Sequence, residues 1–152
     1  MNQEKQLEWI VALLRAESTL ALATADADGL PYVAPLFYLV DSDLTLYWFS
    51  SARSQHSLNL LREPRAAATV YRAVHHWRDI RGVQMSGVTS MVDDPALRKR
   101  IASEYCDRFQ LGTAFRLAIR QSTLYAFKPS FLRGIDNSHH FGEKFEITLE
   151  SE

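Results

Sequence analysis

This 152-residue chain is poor in the residues that crosslink or interrupt regular structure: it has one cysteine, six glycines and five prolines. The lone Cys106 excludes an internal disulfide and a cysteine-based zinc site, and it fits a reducing, cytoplasmic compartment. So few glycines and prolines exclude a fibrous or linker-rich chain. A surplus of either charge is also missing, since 17 Lys and Arg stand against 18 Asp and Glu, for a formal net charge of −1. That balance leaves no basic face for nucleic acid and no polybasic patch for a membrane surface. Long hydrophobic runs are absent: Met1 to Arg15 mixes Gln, Glu and Lys with apolar residues, unlike a signal peptide or a membrane span. What remains is 47% apolar and 23% charged, an ordinary globular balance. One domain over residues 1–152 is expected.

The periodicity changes along the chain. Leu7, Ile10, Val11 and Leu14 fall on one helical face. Leu20 to Ala25 then reads as a strand, and Asp26-Ala27-Asp28-Gly29 as a hairpin turn. Tyr32 to Val40 and Leu44 to Phe49 follow as strands around the turn Asp41-Ser42-Asp43. Connections this short require antiparallel pairing. Ser54 is placed to cap a short helix with Leu58 and Leu61 on its apolar side and Pro64 at its end. Ala66 to Tyr71 and Ile80 to Met91 are the next strands, and Gly82 and Gly87 mark bends or bulges in the second. Asp94-Pro95 starts a helix with Leu97, Ile101, Tyr105 and Phe109 on its buried stripe. A shorter helix spans Thr113 to Ile119. Leu124 to Phe127 is a sixth strand, and Phe131 to Ile135 is a candidate seventh. Strands dominate and run antiparallel, so these elements read as a mainly β (α+β) fold, a small β-barrel with helices plugging its ends.

The strongest local signal is Ser50-Ser51-Ala52-Arg53-Ser54, running into a helix start near His56. Hydroxyls, a guanidinium and free helical N–H groups are the parts of a phosphate site. The alternative is a capped surface helix beside a solvated arginine. The histidine pairs His75-His76 and His139-His140 lack ligand spacing, so no metal site is expected. No Gly-x-Ser-x-Gly and no Gly-rich phosphate loop is present, and Cys106 lies on the buried side of its helix. Trp48, Phe49 and Trp77 are able to stack on a planar ligand, but most of the 17 aromatics must be core.

Several motifs, in order, carry a family likeness. They are Leu22-Ala23-Thr24 with Asp28-Gly29 and Pro31-Tyr32-Val33; Leu46-Tyr47-Trp48-Phe49; Arg53-Ser54-Gln55-His56 with Asn59-Leu60 and Pro64-Arg65; and Ile80-Arg81-Gly82-Val83-Gln84 with Gly87. Over nearly its whole length the chain resembles the FMN-binding split-barrel proteins related to pyridoxamine 5′-phosphate oxidase. Ile80 to Gln84, Asp136-Asn137 and Phe141-Gly142-Glu143-Lys144 make it similar to the small YhbP-like group among them.

The resemblance implies a six-stranded antiparallel split β-barrel with flanking helices, forming a homodimer with FMN in two clefts between subunits, and a small-molecule substrate. Ala34, Pro35, Leu36 and Phe37 would lie along the isoalloxazine. Phe49, Ser50, Arg53, Ser54 and His56 would surround the phosphate, and Gly82 and Gln84 would face the ring. Asn137, His139 and Lys144 fall where the family's C-terminal residues meet substrate or the partner subunit. The chain departs from the oxidases at three places. Gln55-His56 stands where they carry Arg-Lys. Ala34 replaces a basic residue, and Asn137-Ser138-His139-His140-Phe141 replaces their Arg-Leu-His-Asp-Arg. A phosphate dianion thereby loses two cationic partners, with Arg53 left to compensate. The expected function is an FMN-dependent oxidoreductase of unspecified substrate. The alternatives are a non-catalytic flavin- or haem-binding protein and an interaction module with an empty cleft.

Overall fold

Asn2 opens the first helix: its side-chain carbonyl accepts the Lys5 N–H at 3.0 Å, and α1 (Gln3–Ala16) follows with Ile10, Leu13 and Leu14 buried. The computed structural model describes residues 1–149. Eight strands come after α1: β1 (Thr19–Ala25), β2 (Pro31–Phe37), β3 (Leu39–Val40), β4 (Leu46–Ser50), β5 (Arg65–Tyr71), β6 (Arg81–Met91), β7 (Thr123–Asp136) and β8 (Lys144–Thr148). Three more helices are interspersed, α2 (Gln55–Arg62), α3 (Pro95–Arg108) and α4 (Thr113–Gln121), with a 3-10 turn at Trp77–Asp79.

All the strands join one antiparallel sheet in the order β2-β1-β5-β6-β7-β4-β3, with β8 paired to β7. The two ends of that order, β2 and β3, are consecutive in the chain and separated only by Tyr38. A sheet whose opposite edges are one residue apart has to curl on itself, and this gives the split barrel. Tyr38 is buried at the join, and its phenol donates to the Leu14 carbonyl at the end of α1.

Strand alternation sets the core. Leu20 and Leu22 of β1, Ala66, Ala68 and Val70 of β5, and Val83 and Met85 of β6 point inward, where α1 covers them. β4 is buried on both faces because two cores flank it. Leu46 and Trp48 face the barrel interior, while Tyr47 and Phe49 pack under α3 against Ile101, Tyr105 and Leu124. Burying one such large apolar side chain contributes about 1.5–3 kcal/mol.

Four local expectations need correction. The second strand breaks at Tyr38, because the two halves pair with different strands, β2 with β1 and β3 with β4. Leu44 belongs to a turn at φ 65°, so the next strand begins at Leu46. Leu124–Phe127 and Phe131–Ile135 are one continuous strand, β7, and β8 adds an eighth strand in place of the expected six. Leu58 and Leu61 are exposed; Ser57, Asn59 and Leu60 form the buried side of α2. Asn59 is held there by donating to the Thr24 hydroxyl at 3.0 Å. The register shifts at Gly87, where Ser86 pairs with Phe131 and Gly87 with Pro129, so the extra, bulged residue is Ser130 of β7, opposite Gly87. A Cβ on Gly87 would sit 2.1 Å from the Lys128 carbonyl oxygen.

Candidate functional site

The turn from β4 into α2 gathers the hydroxyl-rich segment. Ser54 is the N-cap of α2. Its oxygen lies 2.9 Å from the Ser51 carbonyl and 2.8 Å from the Ser57 hydroxyl. His56 Nε2 lies 2.8 Å from the Ser50 hydroxyl and 3.1 Å from that of Ser54. His56 is half-buried, and desolvation holds its pKa below the usual imidazole value. The inward polar atoms of Ser50, Ser54 and His56 are thus paired with one another. The outward donors are the exposed Arg53 and Ser51 side chains and the free N–H groups of the first turn of α2. Arg53 makes no ion pair among the described residues. This donor set suits an anion held on the outside of the turn.

β2 is a free sheet edge beside this turn. It pairs only with β1 and touches both β4 and α2. Its Pro31 and Pro35 have no N–H to offer, which protects the edge. Along it, Pro35 and Phe37 face outward, while Ala34 and Leu36 turn toward the body of the fold. Phe37 stacks on Phe109 at 4.4 Å, and its carbonyl accepts the Tyr105 hydroxyl at 3.3 Å. Phe49 meets Tyr105 edge-on at 5.2 Å. Phe37 and Phe49 therefore share one aromatic cluster built on α3. Burial pushes the Tyr105 phenol up to about 12.

Gly82 and Gln84 lie elsewhere on the sheet, with β1 and β5 standing between β6 and β2. The register aligns Pro35, Ala21, Thr69, Gln84, Arg133 and Glu146 in one row across the outer face. The next row holds Val33, Ala23, Ala67, Ser86 and Phe131. Small side chains in the middle and larger ones at both sides leave a trough of about 400 Å³. Alanines form its floor. Val33 marks one wall, and Phe131 and Arg133 the other. Arg133 donates to Glu146 at 2.8 Å and to the Gln84 carbonyl at 3.4 Å, and its guanidinium lies 5.6 Å from the Phe131 ring centre. A second cleft, of about 420 Å³, lies between α2 and the β1–β2 turn. Asp26 and Asp28 line it, which makes it a poor place for a phosphate.

Of the expected C-terminal residues, Asn137 is buried and pins two loops together. Its N–H donates to the Ile80 carbonyl, its amide donates to the Trp77 carbonyl at 3.0 Å, and its side-chain oxygen accepts the Gly142 N–H at 3.0 Å. Gly142 sits at φ 76°, a conformation suited to glycine. The Asp136-Asn137 and Phe141-Gly142 motifs therefore build a hairpin loop. That loop displays Phe141 against Trp77, with ring centres 5.8 Å apart, and leaves His139 exposed. Lys144 is exposed at the start of β8. Among the described residues no group of three or more His, Cys, Asp or Glu side chains is placed to hold a metal ion.

The structure thus brings Phe37, Phe49, Ser50, Ser54 and His56 to one end of the sheet. It sets Gly82 and Gln84 two strands away, and the C-terminal loop apart from both. Sequence reasoning missed Arg133, Phe131 and the alanine floor. Alternation along β1, β5 and β7 was the available signal, but it does not show which strands become neighbours.

The alanine floor suits a planar ring, and Arg53 with the α2 start suits an anion; no residue of the Ser50 to His56 turn lines the trough itself. No helix of the described residues is long and apolar enough to cross a membrane. The chain is 28% identical over 148 residues to the UPF0306 protein plu4501 of Photorhabdus laumondii, covering 95% of this chain and 96% of that one. Its fold is similar to that of the haem storage protein HutZ of Vibrio cholerae, with a TM-score of 0.67, 20% identity, and coverage of 85% and 91%. It is also similar to an F420 reductase, with a TM-score of 0.65, 20% identity, and coverage of 80% and 93%. Residues 7–131 match the family described as pyridoxamine 5′-phosphate oxidase, and the chain belongs to that family.

Proposed function

We propose that this protein is an FMN-binding flavoprotein and an oxidoreductase acting on a small molecule. In this reading two copies assemble as a homodimer with the cofactor clefts between them. The outer-face trough carries the proposal: about 400 Å³ of mainly apolar space with a few polar groups at one wall. That is the usual form of a small-ligand site. Membership of the oxidase family and the likeness to an F420 reductase support it.

The bound flavin would supply the hydride or electron transfer. The chain's own residues would bind and orient it. Arg53, the Ser51 hydroxyl and the α2 N–H groups would hold the phosphate. His56 would keep Ser50 and Ser54 in place behind it. Ala34 to Phe37 would offer the free edge of β2 to the ring. Gly82 and Gln84, two strands away in the same subunit, would reach a ring that spans the trough or one shared across the dimer. The test is a titration of the purified protein with FMN and riboflavin, read by flavin fluorescence and the visible spectrum. FMN bound more tightly than riboflavin supports the reading, and no binding of either overturns it.

A second reading, non-catalytic haem binding, has one observation in its favour. The Asn137 bond to the Trp77 carbonyl ties the loop that carries His75 and His76 to the loop that carries His139 and His140, with the exposed Trp77 and Phe141 in contact between them. The likeness to HutZ supports it. A haemin titration read at the Soret band separates the two readings.

A further inference from the structure

We propose that Arg133 is the ligand-selecting residue of the outer-face trough. With Gln84 it would take the electron-rich dione edge of a flavin ring. This rests on the flavin reading above and names what that site recognises.

Arg133 is the one charged side chain among those lining the trough. It is also held in place. Glu146 accepts from its Nε at 2.8 Å, the Phe131 ring lies 5.6 Å away, and its remaining fork reaches the Gln84 carbonyl oxygen at 3.4 Å. A guanidinium restrained in this way loses little freedom when it meets a planar partner. The bond to Gln84 also orients the carboxamide. Its oxygen is taken by Arg133, which leaves its NH₂ as a donor with no partner among the described residues. The wall therefore presents two fixed donors, the guanidinium N–H and the Gln84 NH₂, beside the Ser86 hydroxyl, which donates or accepts and makes no bond of its own among the described residues. A wall led by such donors beside an alanine floor is complementary to a flat ring with an edge of acceptors. A flavin's dione edge has that character, and it becomes more negative on two-electron reduction.

Glu146 tunes the device. It is more exposed than Arg133, with side-chain exposure of 53% against 38%. It partly neutralises the cation from the rim without entering the trough wall.

The test compares wild type, Arg133→Gln and Glu146→Gln as full-length proteins. FMN and riboflavin share the dione edge but not the phosphate. Arg133→Gln is expected to weaken both by the same factor, at least tenfold. The midpoint potential of bound FMN should fall in Arg133→Gln, where the cation is gone, and rise in Glu146→Gln, where it is unmasked. Wild-type affinity and potential in Arg133→Gln would overturn the proposal while leaving the flavin reading intact. Wild type that binds neither flavin would overturn the flavin reading itself. Light scattering guards against a different role: a wild-type dimer that becomes monomeric on Arg133→Gln assigns the residue to subunit contact instead. Should Arg133→Gln not fold, Glu146→Gln decides, and an unchanged potential there counts against the proposal.

Discussion

His56 Nε2 lies 2.8 Å from the Ser50 hydroxyl, so an imidazole closes the turn between β4 and α2 from the inside. Burial favours its neutral form and holds its pKa below the unfolded value. Above about pH 6.5 the ring is neutral in both states and exerts no pull on folding. As the pH falls through that value, the unfolded chain takes up a proton that the folded chain resists, and stability drops. Thermal melts between pH 7.5 and 5 should therefore show a fall that is shallower in His56→Asn. Equal slopes in both proteins would remove His56 from the account.

Arg53 faces outward from the same turn with no ion-pair partner among the described residues. If it holds the phosphate, Arg53→Ala should weaken FMN roughly tenfold or more, the order of a lost charge-assisted hydrogen bond. Riboflavin, which has no phosphate, should bind the variant as it binds wild type. A parallel loss of both ligands would point to damage at the ring site instead. The melting temperature should barely change, because the exposed arginine packs against nothing.

How much of this was legible in the sequence differs from element to element. Ser54 and Asp94 cap helices where local chemistry predicts caps, and each accepts a backbone N–H. A glycine inside the apolar β6 strand signalled the irregularity at Gly87, although the extra residue, Ser130, belongs to the facing strand β7. The break at Tyr38 was not, because an aromatic between Phe37 and Leu39 continues the strand pattern. Only the pairing of its two sides with different strands creates the break. Leu58 and Leu61 read as core by helical spacing. In the fold Ser57 and Asn59 take the inner face, because Thr24 and the cap offer them hydrogen-bond partners there. The hydroxyl-rich turn was visible as a local motif, whereas the trough was not, because it is made of residues from five strands brought together by topology.

The Asn137 latch should contribute to stability independently of any ligand. Asn137→Ala removes two side-chain hydrogen bonds and leaves the Trp77 carbonyl and the Gly142 N–H without their partner. The cost is expected at about 2–4 kcal/mol, from unsatisfied and partly buried groups. For a chain of this size that corresponds to a melting temperature roughly 5–15 °C lower. The emission of Trp77 should shift to the red as the loop loosens and the ring gains water. Asn137→Asp, which keeps the acceptor for Gly142 but not the donor to Trp77, should fall between the two.

Gly87→Ala tests the bulge. A methyl group there would meet the Lys128 carbonyl oxygen at 2.1 Å and the Pro129 Cα at 2.7 Å. Both are backbone atoms of the strand to which β6 is bonded, so neither can swing aside. The strand pair has to separate locally, and the expected result is a soluble yield far below wild type or a large loss of stability. Gly112→Ala is the control, since nothing lies within 4 Å of a Cβ there. A Gly87→Ala protein as stable as that control would show that the bulge relaxes freely.

Tyr105 joins α3 to the edge strand that the proposed site uses. Its hydroxyl donates to the Phe37 carbonyl at 3.3 Å, and burial raises its pKa to about 12. The folded pKa lies above the unfolded value of about 10, so the stabilisation is fully present below pH 10 and is lost as the pH rises toward 12. Tyr105→Phe should therefore flatten the alkaline decline in stability. At neutral pH it should cost only about 1 kcal/mol, the net worth of one hydrogen bond. The variant also probes function, because Phe37 stacks on Phe109 beneath the same hydroxyl. If β2 carries the flavin ring, a loosened Phe37 carbonyl should weaken FMN and riboflavin alike, in contrast to Arg53→Ala. Unchanged affinity for both would place the ring away from that end of β2 and nearer to Gln84 and Arg133.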